Sequence, residues 1–343
     1  MTQSVQSHRK DEHVFLAEKY FAPAAAAGFD QVRLLHNPLP ETAVEHVSCR
    51  PALFNWRWPF FINAMTGGST QTKALNAQLA AVAQACDLAI ASGSQSVALR
   101  EPDLVDTFAV LREQAPTAFI MANLGATADL AAVQAAVAAV GADAIEIHLN
   151  TVQEVVMPEG DRDFHWLANL KRLVEGAAVP VVVKEVGFGM TREALAALAG
   201  IGVQVVDLGG RGGTNFVTIE NARRPDRDLA YLTDFGQTTV ESLLEAQGSS
   251  MAVIATGGIR TPLDVVKALR LGASVVGISG LILHWLIQDG QAATIARLRS
   301  WQAQLPALLA MLGASDLQAL NRVPVVLSPT LESYARQRQL PLP

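Results

Sequence analysis

The sequence predicts an α/β protein: a (β/α)8 barrel of the TIM type, with an N-terminal extension and a long loop after the sixth strand. Three observations carry this expectation. From residue 59 onward, short β-rich runs alternate with Ala/Leu-rich segments of helical period. Eight such units occupy about 230 residues, the ordinary size of that barrel. The runs also end, one after another, in polar or glycine-rich residues, as strands do where a barrel carries its site. The open, doubly wound sheet is the alternative, but "MTGGST" after the first run is not the G-x-G-x-x-G that such a sheet uses.

The predicted strands are "PFFINAM" (59–65), "LAIASGS" (88–94), "AFIMANLG" (118–125), "AIEIHLN" (144–150), "PVVVKEVG" (180–187), "VQVVDLGG" (203–210), "AVIATGG" (252–258) and "SVVGISG" (274–280). The intervening helices are predicted over 72–85, 103–114, 128–140, 164–176, 191–200, 238–248 and 261–272, with an eighth starting near Leu283. Thr261-Pro262 reads as a hydroxyl cap before a proline at the first helical position. Thr238 with Glu241 reads as a capping box. Gly200 and Gly272 stand where helices should stop. Residues 1–58 form an extension that contributes to the site, and 59–343 form the barrel with a C-terminal helical tail. The stretch 209–236 reads as an unusually long loop, of the kind used as a lid.

Bulk properties narrow the class. Half of the 343 residues are hydrophobic, ample for a large core, and the net charge is −6. That balance argues against wholesale binding to nucleic acid or acidic membranes. The two cysteines, Cys49 and Cys86, lack metal-type spacing and fit a reduced, cytoplasmic setting. The N-terminus is too charged for a secretory signal. The most apolar later run, "SVVGISGLILHWLI", is interrupted by Ser279 and His284 and is too short to span a bilayer. A soluble protein without membrane partners is expected.

The strand ends supply the candidate chemistry. Gly257-Gly258 and Ser279-Gly280 close adjacent strands, where barrels cradle phosphate on backbone N–H groups; tight turns are the competing reading. Arg260 stands close by. Lys184 ends an otherwise apolar strand, either as a solvated rim residue or as a cation beside an electron-rich cofactor ring. Thr66, Ser94 and Asn123 offer the uncharged hydrogen bonds a flavin edge needs. His148, Asn150, Gln153 and Glu154 crowd the end of the fourth strand. Glu154 reads equally as a Mg²⁺ ligand through one carboxylate or as a helix N-terminal acid. His8, Arg9, Lys10 and His13 form a basic cluster that matters only if the extension folds over the barrel mouth.

Taken in order, "HRKDEH" (8–13), "INAMTGG" (62–68), "ASGSQ" (91–95), "ANLG" (122–125), "HLNTVQEVVMPEGDRDF" (148–164), "VVKEVGFG" (182–189), "LGGRGGTNF" (208–216) and "TGGIRTPLDVVKALRLGA" (256–273) resemble the FMN-dependent, type 2 isopentenyl-diphosphate isomerases over nearly the whole chain. The resemblance implies a barrel that moves a double bond between isopentenyl and dimethylallyl diphosphate, using reduced FMN, Mg²⁺ and a reductant such as NADPH. It implies Arg9 and Lys10 as diphosphate ligands with His13 nearby. Ala64, Met65, Thr66, Ser94, Asn123, Lys184, Gly209 and Thr214 would be flavin contacts. Gly258, Ile259, Arg260, Ser279 and Gly280 would hold the FMN phosphate. His148, Asn150 and Gln153 would face the substrate, with Gln153, His148 and Lys184 nearest the chemistry, and Glu154 would be the Mg²⁺ ligand. A homo-oligomer is expected. One departure is Ser96, where some relatives carry Arg; one diphosphate contact would then be missing, or supplied from the 209–236 loop by Arg223, Arg224 and Arg227. The alternatives are another FMN-dependent barrel oxidoreductase and a non-catalytic flavin or phosphate carrier. Leu208 occupies the position where a hydroxy-acid oxidase would want a His base.

Overall fold

In a computed structural model, residues 5–23 and 26–343 are described. Eight parallel strands close into a barrel: β1 (Phe60–Ile62), β2 (Ile90–Ala91), β3 (Ile120–Gly125), β4 (Ala144–Leu149), β5 (Val181–Glu185), β6 (Val205–Asp207), β7 (Ala252–Thr256) and β8 (Val275–Ile278), with β8 pairing back to β1. All eight predicted strands are present. They are shorter than predicted because the polar residues at their ends leave the ladder and turn into loops. Gly209, for example, takes φ 49° just past β6.

Alternation along the strands sorts the core. Ile62, Ile120, Ile145, Val183, Val206 and Val276 face outward into the large core shared with the helices. Phe61, Met121, Ala144, Val182, Val205, Ile254 and Val275 face inward and form a separate cluster with Trp56. Phe54, Trp56 and Phe119 close the lower end, with Phe54 stacked on Phe119 at 4.8 Å and Trp56 edge-on to it at 5.4 Å. Two residues further up, six of the strands turn polar at the inward position, with Asn63, Asn123, Glu146, Lys184, Asp207 and Thr256, while β2 and β8 have Gly93 and Gly277 there. The barrel is therefore plugged below by apolar side chains and floored above by a buried polar layer.

The helix signals hold at Thr238–Glu241 and at Thr261, whose capping box is completed by Asp264. Gly272 takes φ 101° as expected, but the earlier left-handed turn falls on Gly202 (φ 89°) rather than Gly200, which stays inside helix Arg192–Gly200. The stretch 209–236 is not a plain loop. It contains helix Phe216–Arg223, capped by Asn215, and a 3-10 turn at Ala230–Leu232. The long helix after β8, Gly280–Met311, is broken at Gly290 (φ 79°). Among the described residues no helix is long and apolar enough to cross a membrane.

The extension carries helix Val5–Lys19 and a three-residue strand, Val32–Leu34, which pairs antiparallel with Val325–Leu327 of the tail. Three residues leave no periodicity to read, so that strand was invisible in the sequence. The helix lies against the barrel mouth: Lys10 Nζ donates to Ser94 O (3.1 Å), Asp11 bonds Ser69 Oγ, and Glu18 meets His284 Nδ1 at 2.9 Å. Phe21 stacks on His284 at 3.9 Å.

Candidate active site

Between the polar floor and the N-terminal helix lies a cavity of about 550 Å³, within the usual range for a small-molecule site. Apart from Arg223, Arg224 and Arg227, the residues singled out in the sequence for cofactor, substrate or metal contact lie on its wall, from Arg9, Lys10 and His13 on the helix to Ser279 and Gly280 at the top of β8. Ser96 is there too, with Oγ 2.6 Å from Ser94 Oγ.

The β7–β8 side forms a backbone cradle. Gly258 has φ 68°, and a Cβ there would come within 2.7 Å of Gly212 O and 2.6 Å of Ala27 Cβ. Only glycine fits that approach. The helix beginning at Gly280 has no side-chain cap on its first turn, so its leading N–H groups are available to an anion. Arg260 is less free than the sequence suggests. Its backbone N–H donates to Asp264 (3.1 Å), one guanidinium nitrogen donates to Ala22 O (3.1 Å), and the group lies 5.0 Å over the Phe21 ring. A glycine cradle at a helix N-terminus, beside a buried lysine and uncharged donors, fits FMN.

The floor is a hydrogen-bonded layer. Lys184 Nζ donates to Glu185 O (2.9 Å) and stands 4.0 Å from Asp207. Asp207 accepts from Asn63 (2.6 Å), Thr256 (3.0 Å) and the Gly209 N–H (3.2 Å). Burial raises the Asp207 carboxyl, against the pull of Lys184. Glu185 accepts three successive backbone N–H groups at 2.6, 2.7 and 2.6 Å, yet burial still pushes it up to about 7. Glu146 is fully buried and accepts one bond, from Asn123 Nδ2 at 2.8 Å. Burial raises it to about 7, with Lys184 opposing and Asp207 adding. Asn123 Oδ1 meets His148 Nδ1 at 2.9 Å. Burial, with Lys184 and Lys10 adding, lowers His148 to about 3, so its imidazole is neutral near pH 7.

A second polar group joins the helix Thr151–Val156 to the helix Phe216–Arg223. Gln153 Nε2 donates to Glu220 Oε1 at 2.9 Å, and Arg223 donates to Glu220 Oε2 at 2.6 Å. His13 Nε2 stands 3.0 Å from Glu220 Oε1, near enough for an ion pair although its direction is poor for a hydrogen bond. Burial alone would raise Glu220, but these donors outweigh it and bring it to about 2. Arg223 also holds Glu159 (2.8 Å) and Glu12 (3.2 Å). Arg9 stands 3.4 Å from both Glu159 and Met157 Sδ. Burial, with Arg9 adding, lowers Lys10 to about 8.

Two expectations change. Arg223, Arg224 and Arg227 do not line the cavity: Arg223 is taken up by three carboxylates, and Arg224 bonds Asp228 at 2.7 Å. They do not replace the arginine absent at Ser96. Glu154 does lie in the first turn of its helix, Thr151–Val156, but its carboxylate does not cap a helix N–H. It accepts from Asn150 Nδ2 (2.8 Å) and from the Asp161 N–H (2.6 Å) of the following loop. The cysteines lie away from the cavity, and burial raises both thiols to about 11.

Asn63 and Thr256 stand in the strand-end motifs the sequence offers, but Glu146, Asp207 and Glu220 escaped the sequence reading. Glu146 and Asp207 follow period-two alternation from Ala144 and Val205, a signal that was present. Glu220 had none, because its helix lies in a stretch read as loop.

A family profile for FMN-dependent dehydrogenases matches residues 96–326. An isopentenyl-diphosphate delta-isomerase of Lacticaseibacillus casei (strain BL23) is 63% identical over 342 residues, covering 99% of each chain. That of Latilactobacillus sakei subsp. sakei (strain 23K) is 56% identical, again over 99% of each. Among solved structures, a flavocytochrome b2 mutant with pyruvate bound superposes with a TM-score of 0.69 at 18% identity, covering 94% of this chain and 84% of that one. Mandelate oxidase with (S)-2-phenylpropionate superposes with a TM-score of 0.61 at 15% identity, covering 92% and 90%. These two likenesses bear on the fold alone. Full-length identity, the FMN-dehydrogenase profile and the closed barrel together show that the chain belongs to the isopentenyl-diphosphate delta-isomerase family, in its FMN-dependent, type 2 branch.

Proposed function

We propose that this protein interconverts isopentenyl and dimethylallyl diphosphate, adding a proton at one carbon and removing one at another. The observation that carries the reading is the pairing of two anion-binding sets on one cavity. The glycine cradle of β7 and β8 suits the FMN phosphate, and Arg9 with Lys10 on the opposite wall suits a substrate diphosphate. A carrier would have no use for the second set. An oxidase would need a base where Leu208 stands.

Reduced FMN supplies an electron-rich ring that stabilises positive charge and carries exchangeable protons. The residues do the rest. An unactivated alkene passes through a tertiary cation-like state when protonated, which demands a dry, preorganised site. The N-terminal helix excludes water from above, and Lys184 sets the charge of the floor. Gln153 is a neutral amide and no strong acid. With Nε2 held by Glu220, it orients the substrate or relays a proton through its amide. His148, held neutral, offers a hydrogen bond rather than a charge. Glu154 would hold Mg²⁺ through one carboxylate together with phosphate oxygens and water. A reduced nicotinamide such as NADPH would supply the electrons, in the cytoplasm. The exposed Phe15, Tyr231 and Phe235 suit burial between subunits of a homo-oligomer.

The test is turnover of isopentenyl diphosphate by FMN-loaded protein, anaerobically reduced and in air. Activity should require reduction, and equal turnover by flavin-free protein would reject the proposal. Glu154→Gln should weaken metal dependence and activity together while FMN binding stays normal.

A further inference from the structure

Among the described residues, Glu146 is the one carboxyl with a fully buried oxygen left unpartnered. The residue is wholly shut off from solvent, and its Oε1 has no hydrogen-bond partner. Its Oε2 has only the Asn123 amide. An ionised carboxylate with one oxygen unsatisfied in a closed interior is costly; the neutral acid is far less so. The groups facing it are Lys184 from β5, Asp207 from β6, and Asn123 and His148 at the cavity wall, with Lys10 above His148. Asp207 is fixed by three donors and lies closest to Lys184, so it is the natural partner of that cation. Glu185 also feels Lys184 but is held by three backbone N–H groups, so Glu146 is left as a further carboxyl beside a single ammonium.

We propose that Glu146 is a redox-linked proton site, taking up a proton when the FMN bound above it is reduced. It lies one amide beneath the cavity, since Asn123 lines the wall and donates to it at 2.8 Å. Reduction by an external two-electron donor adds two electrons and one proton to the flavin, which becomes anionic beside Lys184. With Asp207 and an ionised Glu146, that would place three negative charges around one lysine. A proton taken from solvent by the Glu146 carboxylate forms its O–H and removes one of them. The coupling is reciprocal: protonated Glu146 favours the reduced flavin as much as the reduced flavin favours protonation. Its tendency to hold a proton near neutrality agrees with this placement. The inference rests on FMN occupying the cavity. Loss of that premise would show separately, as protein without a flavin spectrum.

The experiment uses FMN-loaded protein, reduced anaerobically with dithionite. Between pH 7 and 8 the flavin midpoint potential of the native protein should fall more steeply with pH than that of Glu146→Gln. The difference should approach about 30 mV per pH unit, the conversion of one tenfold proton step for a two-electron couple. The reduced-minus-oxidised infrared spectrum of the native protein should gain a carboxylic C=O band, which Glu146→Gln lacks. Equal slopes would overturn the proposal. If the variant does not fold, absence of that band from the native spectrum overturns it instead.

Discussion

Glu146 in the barrel floor and Glu220 beneath the N-terminal helix are both closed to solvent, yet burial has opposite outcomes for them. Glu146 has one neutral amide donor and rises to about 7. Glu220 has Gln153, Arg223 and His13 around it and falls to about 2. Desolvation is outweighed where donors converge on both oxygens, as they do at Glu220. The floor is thus a layer held together by scarce charge, with one lysine for three carboxyls, Glu146, Glu185 and Asp207. The region under the helix is saturated, with Glu12, Glu159 and Glu220 all meeting Arg223. One region suits a change of charge during the cycle, and the other suits holding a fixed geometry.

The sharpest way to break this contrast is to remove the floor's only cation. Lys184→Met leaves Asp207 and Glu146 buried without it and should destabilise the protein by about 3–5 kcal/mol, read by chemical denaturation. Adding Glu146→Gln should recover part of that loss. No recovery would mean that the floor is not charge-limited.

The two glutamates should next differ in sign. Glu146 is raised from 4.5, so the native protein holds a proton that the unfolded chain has lost, and stability drains as pH climbs from 4.5 to about 7. Glu146→Gln should therefore be more stable than the parent at pH 8, by on the order of 2–3 kcal/mol, and equal to it near pH 4. Glu220 is lowered from 4.5, so its contribution is complete above 4.5 and is lost as pH falls toward 2. Glu220→Gln should be less stable than the parent at pH 7, and the gap should close in acid. Thermal unfolding across pH checks both variants, and the same sign for both would remove the distinction.

The smallest expected effect lies at the outer edge of the saturated region. Arg9→Ala would remove the charge-assisted contact to the diphosphate that we propose for it, worth roughly 1.5–3 kcal/mol. That is about 10- to 150-fold in kcat/KM, carried mainly by KM, with FMN affinity and thermal stability little changed. An unaltered KM would leave Arg9 as a partner of Glu159 and nothing more.

The contrast itself was half legible. Strand order, barrel closure and the cavity's outer ring follow from runs such as "PVVVKEVG" and "TGGIR", because polar strand ends and glycine turns stand out from apolar neighbours. Glu146 and Asp207 follow the same period-two alternation, but each sits inside a short apolar run and was read as strand rather than site. Glu220 could not be read at all, since its place is set by tertiary packing of a helix hidden in a long connection. Arg223 was misread for the same reason: its charge was visible, but two of the three acids that occupy it, Glu12 and Glu159, come from distant parts of the chain.

Proton NMR of isopentenyl diphosphate in D2O, with FMN-loaded protein and Mg²⁺, decides whether the cavity moves protons on an alkene under the control of a reduced flavin. With the flavin reduced, dimethylallyl diphosphate should accumulate with solvent deuterium on carbon, and reoxidation in air should stop both. Deuterium-free product, or the same conversion with oxidised or absent flavin, would contradict the proposed function.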